Sequence, residues 1–101
     1  MSDTRGYREA ASRTATAGPG RSSVEARRAA FANDGVPEPA RALLAKVVQH
    51  AYRVTDADMA AAAAALGQDE VFELVVCAAM GQATRQLAAA MAALDEAEGA
   101  R

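Results

Sequence analysis

The chain of 101 residues has a single cysteine, a single histidine and no tryptophan. A lone Cys77 excludes an intrachain disulfide, a Cys-x-x-Cys redox pair and a cysteine zinc site. Basic residues are not in excess. Eleven Lys and Arg face thirteen Asp and Glu, and the net charge of −2 argues against a broad nucleic-acid surface. The charge is uneven, with six Arg against four acids in residues 1–36 and five bases against nine acids in residues 37–101. The basic half is largely low-complexity and reads as a solvated arm rather than a binding patch. The longest apolar run is too short and too alanine-rich to span a bilayer, and no signal-peptide pattern opens the chain. No membrane association and a cytoplasmic location are therefore expected.

What is present is the composition of one soluble domain, half apolar and a quarter charged. A chain of this length buries only about 60–65% of its unfolded surface. Its core is correspondingly thin, which favours further burial against another subunit.

Residues 1–21, "MSDTRGYREAASRTATAGPGR", lack hydrophobic periodicity and end in a Gly-Pro-Gly breaker, so a disordered arm is expected there. Residues 22–101 read as one α-helical domain. Ser22 and Glu25 have capping-box spacing for a first helix through Val24, Arg28 and Phe31. That helix should stop at Asn33-Asp34-Gly35, with Gly35 in the left-handed position. Pro39 suits the first residue of a second helix. Leu43, Leu44, Val47, Val48 and Tyr52 share its apolar face, while Lys46, His50 and Arg53 form a basic stripe opposite.

Thr55 and Asp58 form a second capping box, opening an alanine helix that Gly67 closes. Ala60 to Ala65 either present a smooth surface for close helix approach or are low-complexity accident. The last helix begins near Asp69-Glu70, where acids complement the helix dipole. Its first half, from Val71 to Ala79, is apolar nearly all round, as in a central buried helix. Leu87, Met91 and Leu94 then leave a narrower stripe before a frayed acidic end, "DEAEGAR". No segment alternates as a strand does. The expected fold is all-α, four helices after a loose arm.

Few side chains invite chemistry. His50 is the candidate for proton transfer, although its sequence neighbours Lys46 and Arg53 are cations, and a helix-end histidine on a polar face is the plainer reading. Cys77 lies in "LVVCAAM", where a buried thiol acts as a small hydrophobe with a raised pKa. The acids Asp56, Asp58, Asp69, Glu70 and Glu73 sit at two helix starts and have no ligand-spaced His or Cys companions, so no metal is expected. Met59, Met80 and Met91 suit core gaps better than a cofactor site, and no cofactor is implied. Arg85 reads as an exposed or subunit-contact arginine, with a carboxylate clamp as the alternative.

Residues 65–94, "ALGQDEVFELVVCAAMGQATRQLAAAMAAL", resemble the core helices of the carboxymuconolactone decarboxylase and alkylhydroperoxidase D-like superfamily. That family has a helix ending in glycine, a short acidic connector, then a long Ala/Gly-rich helix. Gly67, Glu70, Val71, Phe72 and Gly81 stand at the corresponding places, and the likeness extends back through "KVVQHAYRVTDADM" to cover about half the chain. Redox-active members carry a Cys-x-x-Cys-x-x-x-His motif before the glycine. Counting back from Gly67, its positions hold Tyr52, Thr55 and Met59; the upstream glutamate position falls near Ala40, with Glu38 the only acid close by. His50 is nine residues out of register with the motif histidine.

The resemblance thus implies the scaffold, and a trimer or hexamer, without the redox chemistry. The expected function is a non-catalytic, oligomeric binding or accessory module. A pocket lined by Tyr52, Met59, Phe72 and Arg85 would take a small apolar ligand or a segment of a partner protein. The alternative is an enzyme of the same superfamily, a peroxidase or decarboxylase relative, using His50 for acid/base chemistry with help from Thr55 or Arg85.

Overall fold

The computed structural model describes the backbone of residues 4–18 and 20–99, and the side chains of residues 10–99 apart from 12 and 19. The described residues form five α-helices and one 3-10 turn, with no strand. They are α1 (Thr4–Ala17), α2 (Val24–Ala32), α3 (Glu38–His50), the 3-10 turn Ala51–Arg53, α4 (Asp56–Leu66) and α5 (Gln68–Gly99). The all-α expectation holds. No described helix is long and apolar enough to cross a membrane.

The arm expected at residues 1–21 is corrected over Thr4–Ala17, which is helical and packs on α2 and α5. Residues 1–3 and Pro19, the centre of the expected breaker, lie outside the described residues, as do residues 100–101 at the expected frayed end. Local periodicity missed α1 because its anchoring is tertiary. The carbonyl of Ala15, in the last turn, accepts hydrogen bonds from Arg27 Nη1 at 3.2 Å and from the Cys77 thiol at 3.3 Å. Both donors lie far along the chain, and a carbonyl at a helix C-terminus has no partner within its own helix.

Ser23, not Ser22, caps α2, its hydroxyl oxygen accepting from the Ala26 N–H at 3.0 Å. At the other end Asn33 takes the left-handed conformation (φ 55°), ahead of the expected Gly35, which also has positive φ (72°). The N–H groups of Asn33 and Asp34 bond back to Ala30 and Ala29, a Schellman closure that satisfies carbonyls the helix leaves open. Pro39 stands one place inside the first residue of α3. Thr55 and Asp58 form the complete capping box, each side chain accepting from the other's backbone N–H at 3.0–3.1 Å, and Gly67 ends α4 at φ 92°.

The buried cluster joins Ala40, Leu43, Leu44 and Val47 of α3, Ala62 of α4, and Val71, Leu74, Cys77 and Ala78 of α5. Helix α5 is the axis of the fold, contacting all four other helices and α2 most extensively. At that crossing the backbones nearly touch: a Cβ on Gly81 would lie 1.9 Å from the Phe31 carbonyl oxygen. Two expectations fail here. Tyr52 is 79% exposed rather than on the core face of α3, and Phe72 on α5 is 64% exposed. From Gln86 to Gly99, α5 continues as a regular helix exposed on every side, so its acidic end is helical through Gly99 rather than frayed.

Candidate functional site

The sequence-derived candidates do not converge. His50 ends α3 and is exposed, its ring edge-on to Tyr52 at 5.7 Å between centroids. The Arg53 guanidinium lies 5.7 Å from the Tyr52 ring centre, a cation–π distance. Thr55 is occupied as a helix cap. Its hydroxyl oxygen accepts from Asp58, and Lys46 bridges both Asp58 carboxylate oxygens at 2.9–3.0 Å. The Lys46 hydrogen bond, reinforced by the Thr55 N–H, holds the Asp58 carboxyl below its ordinary range. A threonine committed in this way has no base to make it a nucleophile.

Tyr52, Met59, Phe72 and Arg85 occupy separate places. Met59 lines an apolar groove of about 510 Å³ between α4 and the start of α5, together with Ala60, Ala63, Ala64, Val71, Asp56 and Gln68. Phe72 lines a shallow depression with Gly20, Arg21, Asp69 and Glu73. Arg85 donates to the Phe31 carbonyl at 2.6 Å and to Gln82 Oε1 at 3.2 Å. It therefore closes the C-terminal end of α2 within its own chain, where a cation also complements the helix dipole.

The best-built polar arrangement was not anticipated. Glu73 of α5 holds the α1–α2 connector. Its Oε1 accepts from the Ser22 N–H at 2.8 Å and the Ser22 hydroxyl at 2.6 Å, and its Oε2 accepts from the Arg21 N–H at 2.8 Å. Partial burial opposes ionisation of this carboxyl. The Ser22 hydroxyl, the two N–H groups and the charge of Arg27 outweigh it and keep the pKa below the usual glutamate range. Arg27 is itself buried, and its Nε has no hydrogen-bond partner among the described atoms. Burial pushes the neighbouring Cys77 thiol upward, against the opposing charge of Arg27. The cluster fastens α1 to the body, and a thiol kept protonated there is a poor nucleophile. No group of three or more His, Cys, Asp or Glu placed to hold a metal occurs among the described residues. Sequence spacing alone offered one hint of this cluster: two adjacent serines before α2, of which a cap uses only one.

An exposed apolar face runs along α5. Phe72, Val76, Ala79, Ala83, Leu87, Ala90, Leu94 and Ala97 recur every three or four residues, so they line one face. Val76 is half-buried and the other seven are exposed, with Phe72 at 64%, Leu87 at 37% and Leu94 at 59%. No charged residue interrupts this lane, which runs about 38 Å from the helical body into the projecting half of α5 at 1.5 Å rise per residue. Comparison with protein-family models, with curated proteins and with solved structures finds no significant match to this chain.

Proposed function

We propose that this chain is a non-catalytic, oligomeric helical module that binds other helices or apolar segments, on a scaffold resembling the alkylhydroperoxidase D-like one without its redox cysteines. The observation that carries the reading is the charge-free exposed lane on α5, in which apolar residues are aligned on one face rather than scattered singly. The separation of His50, Thr55 and Arg85, each with a local structural role, supports the same reading. The Met59 groove is of a size that suits a small apolar ligand.

Light scattering joined to native mass spectrometry on the purified chain tests this. An assembly larger than the 10.4 kDa chain, with or without a co-purified ligand, is expected. A ligand-free monomer, or thiol-dependent peroxide turnover, overturns it.

A further inference from the structure

We propose that α1 and the connector behind it form a strap that undocks from α2 and α5 as one unit, with Glu73 as its latch, while the rest of the fold stays closed. The strap gates access to Cys77, and it stands apart from the oligomeric reading above.

The buried cluster runs from Ala30 to Ala78 and draws on α2 to α5. Among the described side chains of α1 none is buried, and Ala15 alone packs against that cluster. With Gly6, Thr4, Thr14 and Thr16 among its 14 residues, α1 is too short and too poor in helix formers to be stable by itself. Its helical state therefore depends on its docking, so the two are lost together. Segments of this kind open at a lower free energy than the core they rest on.

The described docking contacts are mainly polar. The Ala15 carbonyl accepts from Arg27 and Cys77, and the Glu73 carboxylate holds both connector N–H groups and the Ser22 hydroxyl. The connector fits that carboxylate closely, since a Cβ on Gly20 would lie 2.8–3.0 Å from its terminal atoms. Glu73 thus gathers three donors from two adjacent residues. Loss of those bonds frees the strap without disturbing Leu43, Leu44 or Val71. Arg27 assists the opening. Its buried Nε has no partner among the described atoms, and lifting Ala15 opens the guanidinium to water, which offsets the lost bond.

Under the strap lies a thiol. Burial raises the Cys77 pKa, with Glu73 acting in the same direction and Arg27 against both. Undocking removes the burial and leaves the cation beside the sulfur, a setting that favours the reactive thiolate. Cys77 is inert with the strap docked and reactive with it open.

The test uses the full-length chain, a chromogenic disulfide reagent for Cys77 and hydrogen exchange at the α1 amides. In urea below the unfolding transition both rates should stay nearly constant, because strap opening exposes little surface. Glu73→Gln and Ser22→Ala should each raise both rates by about 5–30-fold. Ser22→Ala keeps the Glu73 charge beside Cys77, so its labelling reports opening alone. Val47→Ala, in the α3 part of the core, should lower the urea midpoint and leave both rates unchanged. Rates that rise steeply with urea and respond to Val47→Ala as to the latch variants would refute the strap, because exposure would then require global unfolding. So would latch variants with wild-type rates, or latch variants that lose the helical signal of the whole chain. Wild-type Cys77 labelling as fast as in unfolded chain would show that the strap is not docked.

Discussion

Gly81→Ala sets two effects of opposite sign against each other, and the structure decides between them. Alanine exceeds glycine in helix propensity by about 1 kcal/mol, so an isolated α5 would gain from the change. In the folded chain the new Cβ would lie 1.9 Å from the Phe31 carbonyl oxygen, 2.7 Å from its carbonyl carbon and 2.9 Å from its Cα. All three are backbone atoms, so no rotamer change relieves the clash. Helices α2 and α5 must separate by more than 1 Å to restore ordinary contact. That movement loosens the packing of Ala30 within the buried cluster, and it stretches the 2.6 Å bond from Arg85 to Phe31. Overpacking costs about 1–3 kcal/mol, and a hydrogen bond from a charged donor contributes about 1.5–3 kcal/mol. Less the propensity gain, the net loss is about 1.5–5 kcal/mol. For a chain of this size each kcal/mol lowers Tm by about 4–8 °C, so a fall on the order of 6–40 °C is expected. Thermal and urea unfolding followed by circular dichroism would measure it. Gly99→Ala, where a Cβ meets nothing within 4 Å, is the control and should change stability little. A Gly81→Ala protein as stable as wild type would refute the close α2–α5 crossing.

Glu73→Gln should destabilise by about 1–2 kcal/mol near neutral pH, because charge-assisted bonds to Ser22 and Arg21 become neutral ones. The Glu73 pKa is lower folded than unfolded, so its contribution is full above the ordinary glutamate range and fades as pH falls through the folded value. The gap between wild type and variant should therefore close in acid, and urea midpoints across pH would show whether it does. Thr55→Ala should cost about 1 kcal/mol through loss of the α4 cap, read as a lower Tm, whereas His50→Ala on an exposed helix end should stay within about 0.5 kcal/mol of wild type. Native Cys77 should resist thiol reagents and label readily in denaturant; fast native labelling would show that the thiol is not buried.

Features legible in the sequence are those whose partners lie within one helical turn. Thr55 and Asp58 are three residues apart, and Gly67 follows the last alanine turn directly, so cap chemistry identified both. Ser22 has the stronger local credentials, with Glu25 three residues on where Ser23 has Ala26, so the capping-box rule selects the wrong serine. Their roles diverge because Glu73, 51 residues away, captures Ser22 and leaves Ser23 to cap α2. Tyr52 continues the apolar period of α3, but His50 leaves the helical region (φ −149°, ψ 68°) and the turn that follows carries the ring outward. Arg85 is exposed, as expected, and also donates to the Phe31 carbonyl in the last turn of α2; Arg27, about which the sequence raised no expectation, is buried and donates to the Ala15 carbonyl in the last turn of α1.

The largest departure is α5 itself. Its first half is apolar nearly all round, which implies neighbours on every side. The other four helices surround it incompletely and leave the Phe72 and Ala79 side open. Periodicity counts the faces that demand burial, whereas one chain supplies only the neighbours it can fold back. In the oligomeric assembly proposed above, the missing neighbour is a helix from another chain. The expectation of a fully buried helix, incorrect for the single chain, then becomes a property of the assembly. Phe72→Ser separates the two levels. It should leave the single chain's fold intact, because the ring is mostly exposed there, while weakening the assembly. If Phe72→Ser unfolded the chain without an effect on association, the ring would belong to the monomer core, and the lane would not begin where it is placed here.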